Sequence, residues 1–241
     1  MSSTMYQVST LQALALGYTR PVTTVSELVR HGNIGLGTFE NVDGEMIILD
    51  GECYRAAEDG SASPAPGELG VPFASVTNAK AERLFDIDDV ADMETLKTLL
   101  TLTIEEDFAL NSMHIIRIDG HFNEVSARSE SAYKSAHVDL KDILAQTQKD
   151  FAFEDISGTL VCVYYPDYMD GINAPGWHVH FLSEDRKKGG HVFGIVLDQG
   201  KAKWTRINNI EIALPQEPAF DTYALKGASQ DDIKEVEQGN G

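Results

Sequence analysis

The fold is decided by the run from 151 to 215: FAFEDISG (151–158), TLVCVYYPDY (159–168), GWHVHFLSED (176–185), HVFGIVLDQGKAKWTRI (191–207) and NNIEIALP (208–215). Each piece is rich in β-branched and aromatic residues, and Gly, Pro, Asn or Asp recurs about every ten positions between them. That pattern predicts short antiparallel strands in a sheet or barrel.

Moving outward, residues 33–60 carry three Asp-Gly pairs, at 43–44, 50–51 and 59–60, between apolar stretches. Asp-Gly suits tight hairpin turns because their central residues need positive φ, so this segment predicts an antiparallel meander. Residues 61–72 (SASPAPGELGVP) read as a loop, and 73–87 as a strand entering a mixed segment. Helical spacing predicts a short helix over 24–31, another over 87–100 after an acidic start, and a third over 136–149. SMHIIRI (112–118) reads as a strand that turns at Asp119-Gly120 and returns as HFNEVSARSE (121–130). The expected class is α+β. Helices and a mixed sheet occupy 1–150, a mainly antiparallel β part fills 151–225, and an acidic tail, 226–241, with a helical turn at DDIKEVE, is able to fold over the site.

The chain has 38 acidic and 19 basic residues, a formal net charge of −19. Such a field repels a phosphate backbone or an anionic membrane, so neither nucleic acid nor membrane is an expected partner. It also gives no long-range help to an anionic substrate, which needs a locally placed cation. Cys53 and Cys162 have no CxxC spacing and sit in strand-like stretches, so both read as buried free thiols. The N-terminal stretch lacks a basic n-region, and a cytoplasmic location is the expectation.

Within 176–194 (GWHVHFLSEDRKKGGHVFG), His178 and His180 are two apart and share one face of a strand. Gly189-Gly190 closes a polar turn, and pairing about Asp185–Arg186 sets His191 opposite them. Three imidazoles on one patch can converge on a Zn²⁺ or another divalent transition metal, leaving a coordination position open. His31, His114, His121 and His137 have no such company and read as structural. Two other functions share this pattern. A cupin-like metal oxygenase or isomerase would want a carboxylate soon after the HxH, where Glu184 is the candidate. A binding module with a structural metal would want a fourth protein ligand, for which Cys162 is the candidate.

The segments IGLGTFENVDGEMIILDGECYR (34–55), VPFASVT (71–77) and GWHVHFLSEDRKKGGHV (176–192) together resemble bacterial alpha-acetolactate decarboxylase, in an order and spacing that span nearly the whole chain. The resemblance implies a zinc-dependent lyase that decarboxylates 2-acetolactate to acetoin and CO₂, and it implies a homodimer. It assigns zinc to His178, His180 and His191. It places Thr38 of LGTF and Glu45 of DGEM in the pocket, and Arg128 of EVSARSE facing the metal. It also implies a glutamate near the C-terminus, where Glu237 is favoured over Glu235.

Overall fold

The structure, a computed structural model, describes residues 3–107, 109–134 and 136–225. Thirteen strands and four short or medium α-helices are found among them. β1 (Ser3–Val8) is followed by α1 (Leu11–Ala15), β2 (Thr23–Thr24) and α2 (Val25–Leu28). The meander comprises β3 (Ile34–Thr38), β4 (Glu45–Leu49), β5 (Glu52–Ala56) and β6 (Ala62–Pro64), and β7 (Gly70–Val71) and β8 (Phe73–Thr77) follow it. Next come β9 (Arg83–Val90), α3 (Met93–Glu106), β10 (Met113–Glu130), α4 (Leu140–Thr147), β11 (Gln148–Tyr165), β12 (Gly176–Ser183) and β13 (Gly189–Ala213).

The meander forms where the Asp-Gly pairs predict it. At the β4–β5 turn Asp50 and Gly51 both have positive φ, 56° and 84°, the geometry that suits a two-residue hairpin. β8 inserts between β1 and β3, and β1 runs parallel to β13, which makes the otherwise antiparallel sheet mixed. β10, β11, β12 and β13 pair in sequence and β13 pairs back with β10, closing a small barrel. The protein is thus mostly antiparallel β with few helices. Among the described residues no helix is long and apolar enough to cross a membrane.

The expected turn at Asp119-Gly120 does not exist. β10 runs unbroken for 18 residues through it, and Gly120 pairs with Gly158 of β11 on one side and Gly200 of β13 on the other. A turn would forfeit backbone hydrogen bonds on both edges, each worth about 1 kcal/mol, so tertiary pairing outweighs local turn preference. The glycine serves close approach instead: a Cβ at Gly120 would lie 2.6 Å from the Gln199 carbonyl oxygen. The same cause merges 151–158 with 159–165 into β11, and 191–207 with 208–213 into β13.

The helix expected over 87–100 begins later. Residues 83–90 join β9 on the edge of β13, and α3 starts at Met93, with the Asp92 carboxylate accepting from the Thr95 N–H at 2.7 Å. Met93, Leu96, Leu100 and Ile104 recur at helical spacing and are buried against barrel residues that include Ile116, Ile118 and Trp177. The helix expected over 136–149 is confined to α4, since Gln148 already pairs with Glu130 as the first residue of β11. Glu235, Glu237 and the expected helical turn of the tail lie outside the described residues.

Candidate active site

The hairpin of β12 and β13 sets His180 directly opposite His191. His178 lies two residues back on the same face, and all three are buried. His178 Nε2 is 3.0 Å from His180 Nε2 and 3.2 Å from His191 Nδ1. One nitrogen from each ring falls within 4.8 Å of the others. Two nitrogens bound at about 2.0–2.1 Å with a tetrahedral angle between them lie about 3.3 Å apart, so the two spacings from His178 match those of ligands to one small divalent cation.

The protonation state fits as well. Burial, then the positive charges of Arg128 and Lys97, lowers the pKa of His178 to about 3. Burial also drives His180 well below the usual range, with a smaller contribution from His178. Neutral imidazoles are the form that binds metal. The Met46 carbonyl oxygen lies 2.9 Å from His180 Nδ1 and accepts its proton, which leaves Nε2 as the lone pair aimed at the cluster.

Three other predicted residues come to the same place. Arg128, near the end of β10, is the cross-strand partner of His191, and its Nη2 lies 3.3 Å from His191 Nε2. Glu45 opens β4 and its Oε2 lies 3.4 Å from His180 Nε2, while Oε1 is 3.8 Å from His191 Nδ1. With His180 neutral, the first of these is a contact between a carboxylate and a ring nitrogen rather than an ion pair. Thr38 ends β3 opposite Glu45, and its hydroxyl donates to the Gly44 carbonyl at 3.0 Å, tying down the turn that delivers Glu45. Thr38, Glu45, Arg128, His178 and His191 all line one pocket.

The remaining walls have no counterpart in the expected set. Glu130 is buried and lines the pocket, and Gln148 lines it beside Glu130. Glu130 is two residues past Arg128 on an extended strand, so reading ARSE with a period of two would have found it. Leu14, Val42, Phe73, Leu140 and Leu144 form an apolar wall drawn from α1, the β3–β4 loop, β8 and α4. Val42 has φ 55°, a left-handed conformation that a β-branched side chain adopts at a cost of about 1–3 kcal/mol.

Both alternative coordination schemes meet a geometric obstacle. Glu184 is exposed in the β12–β13 turn and lines a separate surface groove beside Asp86 and Arg186. Cys162 pairs with Val179, while Val161 and Val163 pair with His180 and His178, so the thiol is on the opposite face from the imidazoles. Both cysteines are free and buried, as expected, and burial raises Cys53 to about 12 and Cys162 further.

Comparison with known proteins finds relatives that match most of the chain. The family profile described as alpha-acetolactate decarboxylase matches residues 5–227. An alpha-acetolactate decarboxylase of Methanosarcina mazei is 37% identical over 237 residues, covering 98% of this chain and 81% of the relative. The Bacillus subtilis strain 168 protein of the same name is 33% identical over 239 residues, covering 99% and 91%. The crystal structure of alpha-acetolactate decarboxylase from that strain superposes with a TM-score of 0.91 at 32% identity, covering 98% of this chain and all of the other.

Proposed function

Because the chain belongs to the alpha-acetolactate decarboxylase family, we propose that it is a carboxy-lyase that converts 2-acetolactate to acetoin and CO₂, assisted by a divalent cation at His178, His180 and His191. The observation that carries this reading is the convergence of three imidazoles with the Arg128 guanidinium and the Glu45 carboxylate, at the edge of a pocket that His178, His191, Arg128 and Glu45 line.

2-Acetolactate is a β-keto acid with a hydroxyl beside its ketone. When the bond to the carboxylate breaks, the electron pair passes toward the ketone and leaves an enediolate, which then takes up one proton on carbon. Arg128 is the local cation that holds the carboxylate in a fixed orientation, offsetting the acidic field of the chain. Glu45 is placed to orient the reacting hydroxyl and to carry the proton to one face of the enediolate, giving a single enantiomer of acetoin. Thr38 keeps the Glu45 turn in position. Zn²⁺, the ion suited to three neutral nitrogens with an open position, would supply positive charge where the substrate oxygens gain negative charge. Glu237 is the second carboxyl of the proposal, ahead of Glu235, on the strength of the family resemblance. The resemblance likewise supports a homodimer, and the two free thiols are in keeping with a reducing cytoplasm.

The test is acetoin formation from racemic 2-acetolactate before and after chelation, with Zn²⁺ returned and the product resolved by chiral chromatography. Activity that disappears with chelator and returns with Zn²⁺ is the expected result. A folded, metal-loaded protein that forms no acetoin would overturn the proposal.

A further inference from the structure

The β3–β4 loop separates Thr38 from Glu45, and it is held by three backbone hydrogen bonds to other parts of the chain and one within itself. Glu40 N–H donates to Gly70, Asn41 N–H to Thr19, Val42 N–H to Phe39, and Tyr133 N–H donates to Asn41. In the middle of this anchored loop Val42 holds the left-handed backbone described above. Glycine or asparagine would take that conformation at lower cost. What valine adds is a branched apolar side chain, 3% exposed, packed with Leu14, Phe73 and Leu140 and lining the pocket.

The proposed substrate divides in the same way as the pocket. Its carboxylate, ketone and hydroxyl require the polar wall of Arg128, Glu45 and the histidines. The groups left over are carbon alone: the methyl on C2 and the methyl of the acetyl group. We propose that Val42, with Phe73, Leu140 and Leu144, forms the alkyl subsite for the C2 substituent, and that the strained position of Val42 sets the size of that substituent. This inference rests on the decarboxylase reading and adds a specificity-determining residue to it.

The test compares kcat/KM for 2-acetolactate with that for the homologue carrying ethyl in place of methyl on C2. It uses wild type, Val42→Ala and Val42→Leu, with circular dichroism confirming the fold. One methylene in an apolar pocket is worth at least about tenfold in discrimination. Val42→Ala should therefore raise the ethyl-to-methyl ratio by about tenfold, and Val42→Leu should lower it. Leu140→Ala enlarges the same wall from α4 and should shift the ratio in the direction of Val42→Ala. A packing role alone would lower both activities together and leave the ratio unmoved. A ratio unchanged in folded Val42→Ala and Leu140→Ala, with normal wild-type acetoin formation, overturns the subsite. Wild-type protein inactive on 2-acetolactate would instead remove the decarboxylase reading, and the subsite with it.

Discussion

His114 of β10 and His180 of β12 are both fully buried in one sheet, and burial lowers the pKa of each, yet they are built for opposite ends. His114 spends both ring nitrogens locally: Nε2 donates to the Ala109 carbonyl at 2.8 Å, and Nδ1 accepts from Trp204 Nε1 at 2.9 Å. His180 spends one nitrogen on the Met46 carbonyl and turns the other toward His178, 3.0 Å away. A depressed pKa therefore does not distinguish a site histidine from a core histidine. Convergence of lone pairs from several rings does, because only that geometry can replace the water around a cation.

The strongest way to break this comparison is to remove each ring in turn. His180→Ala should abolish stoichiometric Zn²⁺ binding and cut kcat by roughly a thousandfold, a loss of several kcal/mol of charge stabilisation. His114→Gln should bind Zn²⁺ normally and leave kcat/KM of the folded fraction near the wild-type value. Equal losses of metal in both variants, measured by atomic absorption after dialysis, would erase the distinction.

A second substitution separates metal binding from proton handling. Glu45→Gln keeps the shape of the side chain and should retain Zn²⁺ while lowering turnover by about a hundredfold. Turnover equal to wild type would remove Glu45 from the proposed chemistry, whatever the metal content.

The third prediction concerns pH and the core histidine. The pKa of His114 is about 4 in the folded protein, against 6.5 in its absence of perturbation. The unfolded chain thus binds a proton that the folded chain refuses. This contribution to stability is complete above pH 6.5 and is lost as pH falls toward 4. By pH 5 the loss should amount to about 2 kcal/mol, at about 1.4 kcal/mol per pH unit. Urea melts at pH 7 and pH 5 should show that loss in wild type beyond the loss in His114→Gln. Parallel losses in the two proteins would mean that His114 is not the group responsible.

The smallest effect is expected where support is indirect. Thr38→Val removes the hydroxyl that donates to Gly44 and should lower stability by about 1 kcal/mol. It should reduce kcat/KM less than Glu45→Gln does; a larger drop would put the hydroxyl itself in contact with substrate.

The histidine cluster was legible in sequence because its geometry is local. A spacing of two fixes a shared strand face, and a short polar turn fixes the partner, so His178, His180 and His191 meet with little help from the rest of the chain. The β4–β5 turn was legible for the same reason, being written in Asp50-Gly51, whereas Asp43-Gly44 only closes a six-residue β3–β4 loop in which Asn41, Val42 and Gly44 take positive φ. Asp119-Gly120 bears the same dipeptide and stays extended, since strands distant in sequence pair on both its sides. Glu45 and Arg128 required the family resemblance, because a glutamate after a turn glycine and an arginine in a polar strand are ordinarily solvated.

The sequence by itself determined the elements whose information is short in range: the histidine hairpin, the Asp50-Gly51 turn, the first part of the apolar face of α3 and the two buried thiols. Tertiary structure alone decided that β1 lies parallel to β13, that β10 to β13 close into a barrel, and that Leu14, Val42, Phe73, Leu140 and Leu144 wall one pocket. Those contacts join residues far apart in the chain. Their free energy comes from burying apolar area and completing hydrogen bonds across strands, and neither quantity can be counted until the partner strand is in place.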